Sequence, residues 1–229
     1  RLLALAHTYG IPIAVASIPK LADASLAARL TDEPLACILV HGLAHADHAS
    51  EGRKKAEFGP DRPIAHLAGD AREALRLAEA RFGEALLPVF VPPWNRIAPD
   101  LVPELPKLGF RGLSTFGRRS ARAPAPGLVQ ANTHLDPIDW HAGGGLRAVE
   151  LLIAELAAAI TAQGEAADRE PIGLLTHHLV QDEATWGFCD ELLARLAGNA
   201  MVRFPDPRGM FAGAQTFAPR DGDLPIRLS

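Results

Sequence analysis

"ACILVHGLAHADH", residues 36 to 48, joins a continuous apolar run to a loop holding His41, His45, Asp47 and His48. The run shows no alternation of apolar and polar residues. A strand covered on both faces reads this way, and such strands belong to parallel sheets flanked by helices. The histidines then lie at the carboxyl end of a strand, where α/β proteins place their reactive groups.

Working outward, comparable runs recur at 11–18 (IPIAVASI), 87–91 (LPVFV), 111–115 (RGLST), 172–176 (IGLLT) and 201–204 (MVRF), with a short extended stretch at 128–131. Helical patterns separate them. LADASLAARL is one, and DRPIAHLAGDAREALRLAEARFG follows, with Asp61 as cap, Pro63 in the first turn and Gly83 past the end. LRAVELLIAELAAAITAQG is strongly periodic, and so is DEATWGFCDELLARLAG, with Asp182 as cap and Gly198 as stop. In APDLVPELPKLG, Pro103 and Pro106 demand a break or a kink. Strand–helix alternation with short connections predicts an α/β protein with a parallel sheet of about six strands, either a barrel or a doubly wound sheet.

Composition narrows the function classes. The chain has 229 residues and a formal net charge of −4, and it carries no basic block, so a nucleic-acid partner is not expected. No apolar run reaches the roughly 18 residues of a bilayer span, so no membrane partner is expected either. Cys37 and Cys189 make no disulfide framework, and a cytoplasmic location is the expectation. The opening RLLALAHTYG reads as the later turns of a helix closed by Gly10, with no cap before it, as if the numbering began inside a longer chain. Residues 1–204 read as a single domain and 205–229 as a Pro- and Gly-rich extension.

Four polar sets fall at strand ends. His41 and His45 form either a metal-binding pair or part of a histidine-rich surface loop; imidazole suits zinc, and also cobalt or nickel. VPPWNR offers a rigid Pro92–Pro93 step, a flat face at Trp94, and donors at Asn95 and Arg96. LDPIDW supplies Asp136 and Asp139 with Trp140 behind, either as turn caps or as carboxylates that orient a histidine or arginine. In LLTHH, alternation along a strand sends one of His177 and His178 into the site and the other away.

In this order the four sets resemble the motifs of the polysaccharide deacetylases, the NodB-homology domains of carbohydrate esterase family 4. HGLAH matches its His-x-x-x-His motif, VPPW part of its Arg-x-Pro-aromatic motif, DPIDW its Asp-x-x-Asp-Trp motif, and LTH its Leu-x-His motif. The resemblance implies a distorted (β/α)7-type barrel, lacking its first strand in this numbering. It also implies a divalent metal ion, zinc foremost, held by His41 and His45, and hydrolysis of N- or O-linked acetyl groups on a carbohydrate or small-molecule substrate. Catalytic roles fall on His177, Asp136, Asp139 and Arg96, and substrate contacts on Trp94, Asn95, Trp140 and His178. Two features depart from the pattern. Val91 stands where the third motif has arginine, so that either Arg96 substitutes or the pairing with the fourth motif is lost. The acidic pair of the first motif has no counterpart, which predicts that it lies upstream of Arg1 or that the chain is a non-catalytic relative binding a sugar or metal. A plain structural domain with incidental histidines is the third alternative.

Overall fold

The computed structural model describes residues 1–166 and 168–212. Five parallel strands lie side by side in chain order: β1 (Ile13–Ser17), β2 (Ala36–His41), β3 (Leu86–Val91), β4 (Gly112–Leu113) and β5 (Val129–Gln130). Their register pairs Ile13 with Ala36, Val40 with Phe90, Phe90 with Leu113, and Gly112 with Val129. The unalternating run 36–40 is buried at every position, as a strand covered on both faces must be.

Helices form where the periodicity places them, and their ends follow capping chemistry. Helix α1 (Leu2–Tyr9) closes on Gly10 at φ 65°, a left-handed conformation that glycine adopts without steric cost. Asp23 caps α2 (Ala24–Leu30) by accepting from the backbone N–H of Ser25 at 2.9 Å and of Leu26 at 3.2 Å. Helix α3 (Ile64–Phe82) buries Leu67, Ala71, Ala74, Leu75, Ala78 and Phe82, one face at the three-and-four spacing. Its first turn differs from expectation. Pro63 occupies the cap position itself, and the Asp61 carboxylate turns instead to Arg53 at 3.1 Å. Residues 99–108 wind as a 3₁₀ helix, which lets Pro103 and Pro106 be accommodated. Helix α4 (Val149–Glu165) and helix α5 (Glu183–Ala197) follow, the latter capped by Asp182 and ended at Gly198.

The main core lies between the sheet and α3. Phe90 sits at its centre, edge-on to Phe58 at 4.9 Å and to Phe110 at 5.2 Å between ring centroids; contacts of this kind contribute about 0.5–1.5 kcal/mol each beyond area burial. A second cluster on the opposite face joins Cys37, Leu39 and Val89 to Phe211 of the short helix α6 (Pro207–Phe211). The Phe211 ring fills the space beside Gly112, where an added Cβ would approach it to 2.5 Å.

Two expected strands differ. The run 172–176 makes a single parallel bridge, Leu174 to Leu135, and residues 201–204 form no strand. Apolar content alone did not determine them, because a strand exists only where a neighbour offers an unpaired edge. Nor is the barrel closed: among the described residues β1 and β5 are the two edges of an open sheet. Among the described residues no helix is long and apolar enough to cross a membrane. Residues 213–229 of the expected C-terminal extension lie outside the described residues.

Candidate functional site

His41 and the VPPW loop lie at the carboxyl ends of β2 and β3, and Asp136 and His177 follow the Leu135–Leu174 bridge. His41 is the last residue of β2, and its Nδ1–H donates to the carbonyl of Val91, the last residue of β3, at 2.9 Å. This bond fixes the tautomer and leaves Nε2 with a free lone pair. Burial is the main cause that pushes the His41 pKa down to about 4, with the neighbouring His45 and His177 adding to it. His41 is therefore neutral near pH 7, the form that ligates metals.

His45 is held by an unusual loop. Gly42 and His45 both adopt left-handed backbone, at φ 58° and 55°. The buried Glu57 carboxylate organises them, accepting from the N–H groups of Leu43 at 3.2 Å, Ala44 at 2.8 Å and His45 at 3.2 Å. A Cβ at position 42 would meet Glu57 Oε2 at 2.2 Å and the Pro93 ring at 2.5 Å, so the turn requires glycine. Trp94 and Asn95, on the facing loop, are also left-handed at φ 55° and 56°. Three non-glycine residues in this region at one strand-end cluster is strain of the kind that persists at functional sites. Trp94 stacks on His45 with ring centroids 4.2 Å apart, and His45 lies 5.1 Å from His41. Two imidazoles bound tetrahedrally to one zinc ion at 2.0–2.1 Å place their centroids about 5 Å apart. The pair fits two positions of such a site. A catalytic zinc site uses three protein ligands, and among the described residues no group of three or more His, Cys, Asp or Glu residues could hold a metal ion.

The second half of the site is a carboxylate–imidazole pair. Asp136 Oδ2 accepts from His177 Nε2 at 3.1 Å and from the indole N–H of Trp140 at 2.9 Å. Burial raises the Asp136 pKa, but the His177 and Trp140 donors and the N–H of Ile138 outweigh it, so the pKa lies below the ordinary carboxylate value. The Trp140 ring stands edge-on to His177 at 4.9 Å. Because His177 gives Nε2–H to Asp136, its Nδ1 remains available for proton exchange.

The remaining expected residues have other partners. Asp139 spends Oδ1 on the N–H groups of His141 and Ala142, both at 3.0 Å, and so closes a turn. Arg96 reaches the Lys55 carbonyl at 2.6 Å rather than Asp136 or Asp139. The cation beside Asp136 is Arg147, which donates to its backbone carbonyl at 3.1 Å and pairs with Glu155. His178 opens a turn and its ring lies 6.0 Å from that of Trp186. Asn95 is exposed beside Trp94. Asp47 Oδ1 accepts from Ala49 and Ala56 and braces the histidine loop, and His48 is exposed. Sequence reading missed Glu57 and Arg147. Glu57 lies in the charge-rich stretch RKKAEFGPDR, residues 53–62, where a carboxylate reads as solvated surface.

No family model matches the chain, and no curated protein matches its sequence. Among solved structures, the chain is similar to the crystal structure of a "putative polysaccharide deacetylase" from Mycobacterium smegmatis, with a TM-score of 0.64 at 14% identity. The alignment covers 90% of this chain and 72% of that one. At this identity the likeness shows the fold.

Proposed function

We propose that the chain is a deacetylase-type hydrolase, acting on acetyl groups of a carbohydrate or related small molecule. The observation that carries this reading is the Asp136–His177 hydrogen bond at 3.1 Å, with the Trp140 indole bonded to the same carboxylate oxygen. The fold shared with a deacetylase-like structure supports it.

In this reading His177 is the general acid. Asp136 holds its Nε2–H at 3.1 Å, fixing the ring so that Nδ1 can deliver a proton to the departing amine or alcohol. The Trp140 indole N–H, bonded to the same oxygen at 2.9 Å, holds the carboxylate in place and favours its ionised form. Trp94 and Trp140 offer apolar faces on two sides of the site. His41 and His45 would hold a divalent metal ion, zinc foremost, which would supply polarisation of the acetyl carbonyl and a more acidic water. Among the described residues no third ligand joins the two histidines.

A binding protein built on the same fold is the second reading, favoured by the two-histidine set. Acetate release from acetylated chito- and xylo-oligosaccharides, with zinc or cobalt added, separates them. Turnover lost in His177→Ala supports the hydrolase. Sugar binding without acetate release, in every metal, establishes the binding protein.

A further inference from the structure

We propose that the groove running from Asn95 and Arg96 toward the ends of β4 and β5 is a subsite for an acidic sugar, a ring bearing a carboxylate. Its placement beside the reacting group rests on the hydrolase reading; its ligand chemistry does not.

The groove is a cavity of about 770 Å³, within the roughly 300–1,000 Å³ typical of small-molecule sites. It begins at Asn95 and Arg96, the residues that follow Trp94 in the chain. Ile97 and Leu113 contribute apolar wall, and Phe116 presents a ring that is 43% exposed, a flat surface suited to the C–H face of a sugar.

Hydrogen-bonding logic fixes one polar group in this wall. Asn132 Oδ1 accepts from the backbone N–H of Thr115 at 2.9 Å, and Asn132 Nδ2 donates to the Gly117 carbonyl at 2.7 Å, so the orientation of this amide is determined. Gln130 must then turn its nitrogen toward Asn132 Oδ1, at 3.1 Å, and toward Thr115 Oγ1, at 3.2 Å. Both donors of the Gln130 amide are spent inside the protein. Its oxygen, an acceptor with no protein donor among the described residues, remains at the groove wall. An acceptor so placed selects a ligand with hydroxyl or N–H donors.

Charge supplies the second requirement. Arg53, Lys54 and Arg96 line the groove against one carboxylate, Asp61, and that carboxylate is already paired with Arg53 at 3.1 Å. Lys54 makes no hydrogen bond or ion pair among the described residues. The chain as a whole carries −4, so this positive margin runs against its overall charge. Hydroxyl donors, a ring face and an anion together describe a uronic-acid residue.

The test is a titration of ¹⁵N-labelled protein with glucuronic acid, glucose 6-phosphate and glucose at low salt, read as amide shifts. Glucuronic acid is expected to move the Asn95, Thr115 and Gln130 amides and to bind about fivefold or more tighter than glucose, a margin that shrinks with added salt. Lys54→Ala, on an exposed loop, should bring the two sugars close to equal, while Gln130→Met should weaken both. Equal affinities in the parent protein, or shifts confined to other regions, would overturn the subsite. Preference for glucose 6-phosphate would overturn its assignment to a carboxylate. No probe carries an acetyl group, so the outcome is independent of turnover. Acetate release without glucuronate preference defeats this inference alone, and glucuronate binding without acetate release defeats the hydrolase alone.

Discussion

The two halves of the site are held by different means. The His41–His45–Trp94 half stands on β2 and β3, paired strands, and is clamped from below by the buried Glu57 through three backbone N–H groups. The Asp136–His177 half stands on segments joined by the single Leu135–Leu174 bridge, and side-chain hydrogen bonds do the positioning. Backbone pairing makes the first half insensitive to any one side chain except its clamp. The second half depends on each member of its small network.

Breaking the second half should give the largest effect. His177→Ala removes the proposed acid, and acetate release should fall by about 10²–10⁴ with little change in thermal stability. Loss of stability in proportion to activity would instead make His177 a structural residue. In the first half, Glu57→Ala should cost about 3–5 kcal/mol in denaturant unfolding, because three N–H groups lose their common acceptor. A cost below about 1 kcal/mol would remove Glu57 from its role as clamp. Gly42→Ala should follow at about 2–4 kcal/mol, from the positive φ and the contact with Glu57 and Pro93.

Smaller changes sharpen the contrast. Trp140→Phe keeps a ring beside His177 but deletes the donor to Asp136, and should lower kcat about tenfold while stability moves by about 1 kcal/mol. The smallest effect is on pH dependence. The folded-state pKa of Asp136 lies below its ordinary value, so once the pH falls below about 4 the unfolded chain binds the proton first and stability declines. Asp136→Asn should flatten that decline by lowering stability at neutral pH, where the ionised carboxylate contributes, and leave the acid end nearly unchanged. A decline of unchanged steepness would show that other carboxylates govern it.

Legibility in the sequence followed the same division. Strands β1 to β3 could be read because their apolar runs are long and unbroken, and α5 because Asp182 and Gly198 mark both ends. The equally apolar runs at 172–176 and 201–204 misled, since pairing depends on an available edge that no local pattern encodes. The Asp-x-x-Asp spacing of 136 and 139 drew both carboxylates into the candidate site, whereas backbone geometry gives one of them to a turn. Arg147 was hidden at the entrance of α4, where a basic residue reads as solvated surface.

Neighbouring strands in this sheet are also neighbours in the chain, from β1 through β5. Each strand–helix unit can therefore dock on the one synthesised before it, without waiting for a distant segment to return. His41 gains its Val91 acceptor only when the third strand has emerged, and Asp136 gains its imidazole only when His177, 41 residues after it, has followed. A ribosome-bound chain would thus carry a folded sheet well before it carried the complete Asp136–His177 pair.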